Sequence, residues 1–306
     1  MIDLRRLLVL RVLAERRTVT AAAADLHVTP SAVSQQLRSL ASELGVELVV
    51  RAGRNVELTP AARSLLAHAD DLGARWERAR ADIASGNETL TGSLRLCGVS
   101  SAAAAVLIPA AARLRRDHIG LDVHIRELES AECFQQLLAQ RADIALVLPA
   151  HSPPADDPRF EQQPVFDDAQ DLLVPENHPL TRRREVRLPD AATENWIVKP
   201  ENNDSYDLLL AACAAAGFTP RITHHLKEWF AVSAAVAHGF GVCLLPRLVP
   251  VPEHHRTVRI PLHGSIRPTR VITCAIRRGS REHPVIAAGL HTIAAIAGEL
   301  AAEGPG

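Results

Sequence analysis

The sequence has only two lysines, Lys199 and Lys227, among its 34 basic residues, so nearly all of its positive charge is arginine. That imbalance follows genome base composition as readily as any function. Cysteine is sparse: Cys97, Cys133, Cys213, Cys243 and Cys274 are an odd number, widely spaced, with no C-x-x-C pair. This excludes a disulfide framework and a thiolate metal knuckle, and predicts five reduced core residues. No apolar run reaches the roughly 20 residues that cross a bilayer, and Asp3, Arg5, Arg6 and Arg11 interrupt the apolar start that a secretory leader would need. A cytoplasmic protein without a membrane partner is expected. No Ser/His/Asp constellation and no phosphate-cradling glycine loop is visible, which predicts no enzyme, no catalytic residues and no cofactor. His224-His225 and His254-His255 are read as strand neighbours pointing to opposite faces, so no metal site is expected. The net charge of -1 gives no hint of a nucleic acid.

What is present is a chain of 306 residues, 47% hydrophobic and 23% charged, the composition of a globular protein with more than one domain. Residues 1–60 carry eight arginines against six acids, a local +2. Leu4, Leu7, Leu8 and Val12 recur at helical spacing and predict a first helix to about Arg16. Thr18 or Thr20 caps a short second helix rich in alanine, which ends near Leu26; His27 and Val28 turn the chain. Thr29 and Pro30 then give a capping hydroxyl followed by the residue favoured at the first helical position, and Gly45 closes a third helix after Leu44. On this helix Val33, Leu37, Leu40 and Leu44 form an apolar seam, while Ser31, Ser34, Gln35 and Arg38 line the other side. Short polar side chains on such a helix suit the major groove, where Gln pairs with adenine and Arg with guanine or phosphate; taken alone, the face is better explained by solvation, and the short turn between two short helices shifts the balance toward DNA. Alternation then predicts a hairpin wing: Leu48 and Val50 against Val49 and Arg51, a turn at Ala52-Gly53-Arg54-Asn55, then Val56 and Leu58. Arg51 and Arg54 flank its tip, placed for phosphate or the minor groove.

Thr59-Pro60 opens a long helix. Ala62, Leu65, Ala69, Leu72, Trp76, Ala79 and Ile83 alternate spacings of three and four, a seam with little of its own chain to pack on, so a second copy is expected along Leu65 to Ile83. A two-fold dimer suits an inverted-repeat operator in double-stranded DNA. At this point the segment resembles the LysR-type transcriptional regulators, through Leu4 to Ala14, Val19 to Leu37, Glu43-Leu44-Gly45-Val46 and Leu58-Thr59-Pro60. The family often has Arg where this chain has Gln35, and a bulky aromatic where it has Val49; the first bears on base preference, not on DNA binding. For DNA contact, the pattern and the resemblance together nominate Thr29, Pro30, Ser31, Ser34, Gln35, Arg38, Arg51 and Arg54.

After a polar joint from Asn87 to Ser93, strands and helices alternate. Strands are predicted at 94–99, 121–125, 144–148, 171–174, 196–198, near 222, at 242–245 and at 271–276; helices at 102–116, 131–140, 205–216, 228–237 and 284–300. The rhythm implies parallel sheets with helices on both faces, in two lobes with a cleft at the carboxyl ends of the strands. Ser100-Ser101 is read as a helix cap that also suits an anion, and Glu201 and Asp204 either bias the cleft toward a zwitterion or cation, or cap the next helix. Asp143-Ile144-Ala145, His178-Pro179-Leu180, Ala215 to Phe218 and Val236 to Pro246 resemble the same family's effector domain, which is similar to periplasmic solute-binding proteins. The resemblance implies a small-molecule effector, a small organic acid or an amino acid, and a cleft that includes Ser100, Ser101, Leu148, Asn202, Asn203, Ser205 and Trp229. It also implies a homodimer or homotetramer with RNA polymerase as a further partner. The fold class is therefore α/β: an N-terminal winged helix-turn-helix (1–59), a linker and dimerisation helix with its hinge (60–92), and a two-lobed periplasmic-binding-protein-like effector domain (93–306). Lobe I is expected at 93–165 and 268–303, and lobe II at 166–267. Two readings compete: a solute-binding or enzymatic protein with an incidental helical domain, and a DNA-binding protein whose second module only oligomerises.

Overall fold

The computed structural model describes residues 4–26, 28–53, 55–86, 89–265 and 267–302; the expectations at His27, Arg54 and Asn87 fall outside them. The chain divides into two units, residues 1–79 and 80–306.

In the first unit α1 (Leu4–Arg16), α2 (Val19–Leu26) and α3 (Pro30–Leu44) pack around Leu10, Leu13, Ala22, Val33 and Leu40, and a hairpin of β1 (Val49–Ala52) and β2 (Asn55–Leu58) follows. Of the expected stripe on α1, Leu7 is buried while Leu8 and Val12 are only partly covered; Val9, Leu10 and Leu13, outside that stripe, complete the buried face. Thr18 is the α2 cap, its Oγ1 accepting the Ala21 amide at 3.2 Å. Thr29 caps α3 through the Ala32 amide, and Gly45 ends it at φ 67°, the left-handed conformation a side chain would resist. Among the described residues of the wing only Leu48 is buried; Val50 is exposed and Val49 partly covered, so the expected alternation holds at Leu48 and fails at Val50. α4 (Pro60–Ala84) is capped by Thr59, whose Oγ1 accepts the Ala62 amide at 3.1 Å.

The second unit begins with β3 (Gly92–Gly98). A continuous helical stretch follows, made of α5 (Ser100–Ala102), a π-helical segment (Ala103–Leu107) and α6 (Ile108–Asp117). Then come β4 (Leu121–Glu127), α7 (Ser130–Leu138), β5 (Ile144–Val147), the 16-residue β6 (Phe160–Pro175), β7 (Asn195–Val198), α8 (Asp204–Ala215), β8 (Arg221–His225), α9 (Trp229–Ala237), β9 (Cys243–Pro246), β10 (Thr257–Ile260), β11 (Thr269–Arg277) and α10 (Pro284–Ala302). In lobe I the strand order is β4-β3-β5-β11-β6; β3, β4 and β5 are parallel, but β11 runs antiparallel to both neighbours. In lobe II β7 and β8 are parallel, whereas β6 is antiparallel to β9 and β10. The sheets are therefore mixed, not parallel, because β6 crosses between the lobes: residues 160–169 pair with β11 in lobe I, and 170–175 pair with β9 and β10 in lobe II.

β5 is wholly buried, as a strand covered on both faces must be. On one face α6 and α10 share a core with Leu94, Leu96, Ile144 and Ile276, and on the other α7 packs its Phe134 with Ala145 and Phe160. α10, 19 residues with an 18-residue window of mean hydropathy 1.6, is long and apolar enough by composition to span a bilayer, against the expectation of no such run; its Val285, Ile286, Ile293 and Ile296 pack into the lobe I core. Lobe II closes around Leu172, Leu188, Trp196, Leu209 and Leu244, with Trp196 Nε1 donating to the Ala191 carbonyl at 3.2 Å. Gly241 holds this lobe tight, at φ 155° and so near β7 that a Cβ there would lie 2.3 Å from the Asn195 carbonyl oxygen.

Candidate functional site

On α3 the seam is buried at Val33, Leu37 and Leu40, while Ser31, Gln35 and Arg38 are exposed and Ser34 is half-buried at the edge. Thr29 and Pro30 are exposed at the helix start, where Thr29 Oγ1 lies 2.9 Å from Ser31 Oγ. Between α3 and the wing lies a groove of about 340 Å³ bordered by Ser34, Arg38 and Arg51. The turn before α2 braces the wing, the Val56 amide donating to the Arg17 carbonyl at 2.7 Å. A polar helix face is thus held beside a basic strand on one core. Arg54 lies outside the described residues.

On α4, Ala62 and Leu66 join the first unit's core and Leu65, Ala69 and Ala79 are partly covered. Leu72, Trp76 and Ile83 are exposed, at 53%, 53% and 77%.

In the second unit, loops at the carboxyl ends of the lobe I strands meet the loop after β7 and the start of α8. Ser100 and Ser101 do not cap a helix: the cap position is Val99, which has no side chain for the task, and both serines lie inside the helical stretch. Ser101 is buried, and its Oγ accepts from Arg270 Nη2 at 2.9 Å. Arg270 is also bonded to Asp168, whose other oxygen accepts the Leu248 amide at 3.2 Å. Leu148 buries its side chain in the lobe I core, and its amide donates to Ser130 Oγ at 2.9 Å. Asn203, not Asp204, caps α8: Oδ1 accepts the Ser205 amide at 2.9 Å, and Nδ2 reaches across to Glu129 Oε2 at 2.9 Å. Asp204 is buried and accepts the His151 amide at 2.8 Å; the His151 ring nitrogens lie 3.3 Å from Asp204 and 3.2 Å from Asp207. Glu201 and Asn202 are exposed. Trp229 begins α9, its ring centroid 4.3 Å from the buried Lys199 ammonium, which also donates to the Lys227 carbonyl. Burial pulls this ammonium below the usual lysine range, against Glu228 and Glu129. Burial likewise raises the Glu129 carboxyl, partly offset by Lys199.

Sequence reading missed Arg270, Asp168, Glu129, His151 and Lys199. Lys199 carried a signal, being one of two lysines and standing directly before the cleft loop; Arg270 carried none, since 169 residues separate it from Ser101.

His254 and His255 lie in a turn, not on a strand, so the parity argument fails for them: their rings meet edge to face with centroids 4.5 Å apart, and His255 Nδ1 is 2.8 Å from Ser233 Oγ. Among the described residues no group of three or more His, Cys, Asp or Glu side chains is placed to hold a metal ion. All five cysteines are free and buried; burial pushes the Cys213, Cys243 and Cys274 thiols up to about 12, and contact with Cys97 together with burial raises Cys133.

Two family models match the chain: the lysR-family bacterial regulatory helix-turn-helix protein over residues 4–63, and the LysR substrate binding domain over 87–296. The transcriptional dual regulator GltC of Bacillus subtilis is 28% identical over 261 residues, covering 85% of this chain and 86% of that one. The DNA-binding transcriptional dual regulator OxyR of Escherichia coli is 27% identical over 280 residues, 91% and 90%. Among solved structures, a full-length OxyR variant from Pseudomonas aeruginosa superposes with a TM-score of 0.62 at 22% identity, covering 97% of both chains. HinK, a LysR family regulator of the same organism, gives 0.60 at 20%, covering 98% of this chain and 99% of that one. With a helix-turn-helix, a two-lobed α/β unit and family models over both, this chain belongs to the LysR family of bacterial transcriptional regulators, proteins that bind DNA and respond to an effector.

Proposed function

We propose that this regulator reads an inverted-repeat operator in double-stranded DNA through Ser31, Ser34, Gln35 and Arg38 of α3, with Thr29 and Pro30 at the helix start and Arg51 and Arg54 of the wing beside it. A small organic acid or amino acid bound between the lobes would control it, with RNA polymerase as the downstream partner and the cytoplasm as the setting. The observation that carries the DNA reading is the division of α3, a buried apolar seam opposite an exposed polar face. A polar face on the helix after a short turn, with a hairpin beside it, is the arrangement in which a helix-turn-helix places its second helix in the major groove.

Self-association along Leu65, Ala69, Leu72, Trp76, Ala79 and Ile83 is supported by the three large apolar side chains that α4 leaves in solvent. Ile108 and Ile119 on lobe I and Phe230 and Phe240 on lobe II, all exposed, support a second self-contact and hence a tetramer. We retain the division into residues 1–59, 60–92 and 93–306 and assign no catalytic role. Some relatives are named for induction by hydrogen peroxide; here buried thiols held protonated argue against sensing through cysteine, since the thiolate is the reactive form.

Replacing Ser34, Gln35 and Arg38 together by Ala tests the DNA reading. Specific binding to a fragment selected from the source genome should vanish while the oligomeric mass stays the same; retained specific binding would show that the reading face lies elsewhere.

A further inference from the structure

The two lobes, which β6 joins covalently, are also tied by their own side chains. Asn203 Nδ2, at the start of α8 in lobe II, donates to Glu129 Oε2 of lobe I at 2.9 Å. The His151 amide, in the lobe I stretch after β5, donates to Asp204 Oδ1 at 2.8 Å. The His151 ring spans two acids of α8, with Nδ1 3.3 Å from Asp204 Oδ1 and Nε2 3.2 Å from Asp207 Oδ2; Asp204 is buried and Asp207 half exposed. A neutral imidazole has one N–H and one lone pair, so in either tautomer one nitrogen turns a lone pair toward a carboxylate oxygen. The imidazolium has an N–H at both nitrogens and answers both acids at once.

Glu129 works in the same direction. Burial raises its carboxyl and Asp204 beside it adds to the effect, while Lys199, Lys227 and the Asn203 bond oppose it. A proton on Glu129 removes its repulsion with Asp204 and still leaves an oxygen for Asn203. Asp204 also faces Arg270 of β11, a cation that keeps its charge throughout the histidine range. With both protons in place the seam sets one imidazolium between two carboxylates. With both gone it holds three carboxylates, Glu129, Asp204 and Asp207, and a neutral ring.

We propose that protons latch the two lobes together: His151 as the imidazolium closes the seam against Asp204 and Asp207, and its deprotonation, with that of Glu129, lets the lobes part. The closed seam binds protons that the parted lobes release, so the latch is engaged at low pH and is lost as pH rises through the histidine range, about 6 to 8. The latch is made of the chain's own groups and asks nothing of an effector. Acidity therefore enters the regulator as an input of its own, acting on the balance between closed and parted lobes.

The test is hydrogen exchange of the full-length protein, read by mass spectrometry from about pH 6 to 8 and corrected for the intrinsic pH dependence of amide exchange. The His151 amide is itself one of the latch bonds, so protection around His151 and at the start of α8 reports the seam directly. In the wild type that protection should fall roughly ten-fold across the interval. His151→Gln, which keeps a neutral donor, should show low protection that does not change with pH. Asp207→Asn, at a half-exposed position where the fold tolerates the change, should reduce the fall to about three-fold. Glu129→Gln should keep the part that belongs to His151. Protection of β5 and α10, inside the lobe I core, shows whether each variant is folded. Wild-type protection that stays constant over the interval overturns the latch, as does a fall of the wild-type size in both His151→Gln and Asp207→Asn.

Discussion

Asp168 and Arg270 are 0% and 2% exposed, and their contact answers two charges that water cannot reach. Removing one partner of such a pair leaves the other charged and desolvated, at a cost of about 3–5 kcal/mol. Asp168→Asn should therefore lower the unfolding free energy of the second unit by that amount in urea titrations; a loss under about 1 kcal/mol would mean that water or another acid reaches Arg270. Glu129 behaves in the opposite sense to a salt-bridged carboxylate. Burial raises its folded pKa above the ordinary 4.5, so the folded state holds the proton longer than the unfolded chain, and stability falls as pH rises through the interval between the two values. Glu129→Gln removes that titration and keeps an acceptor for Asn203. Melting curves from about pH 4 to 8 should show the variant gaining on the wild type across that interval and holding a constant lead above it. A parallel pair of curves would refute the assignment.

Among the elements, α4 and β6 show opposite relations between pattern and structure. α4 carries a long helical periodicity, and its Thr59 cap and full extent are legible in the sequence because local hydrogen bonds and a one-sided stripe suffice to specify a helix. What it packs against is not local. Leu72, Trp76 and Ile83 remain in solvent in a single chain, and Trp76→Asp should shift the protein toward monomer in sedimentation or light scattering with little change in secondary structure; an unchanged mass would exclude the α4 seam as the interface. β6 is legible only at its apolar C-terminal end, 171–174, because Phe160 to Asp168 is polar, contains Pro164 and lacks alternation. The structure explains this. That half is an edge of lobe I, with a register shift where Ile272 and Thr273 face Phe166 and Pro164, and an edge strand with a bulge tolerates proline and charge. β10 escapes sequence reading because Thr257 and Arg259 break up the apolar run that makes the equally short β5 and β9 legible.

For the whole molecule, the family-level architecture follows from order and rhythm: three short helices and a hairpin, one long helix, then alternating strands and helices with a second lobe. The sheet direction does not follow, because a βα rhythm implies parallel pairing only while consecutive strands stay in one lobe, and β6 passes between the lobes while β11 returns to the first. At the strand ends the local pattern misleads about chemistry. Ser100 and Ser101 read as caps and Asp204 as a cleft acid or a cap, whereas Ser101 is held by Arg270 and Asp204 by His151, partners 169 and 53 residues away in the chain. Near neighbours in the chain suffice for the polar face of α3, the caps at Thr29, Gly45 and Thr59, the apolar stripe on α4 and the free, buried cysteines. Which side chains meet in the cleft, Ser101 with Arg270 and Asp204 with His151, is settled by the fold alone. A hydrogen-bond inventory closes only when residues remote in sequence are brought within about 3 Å, and no local pattern encodes that proximity.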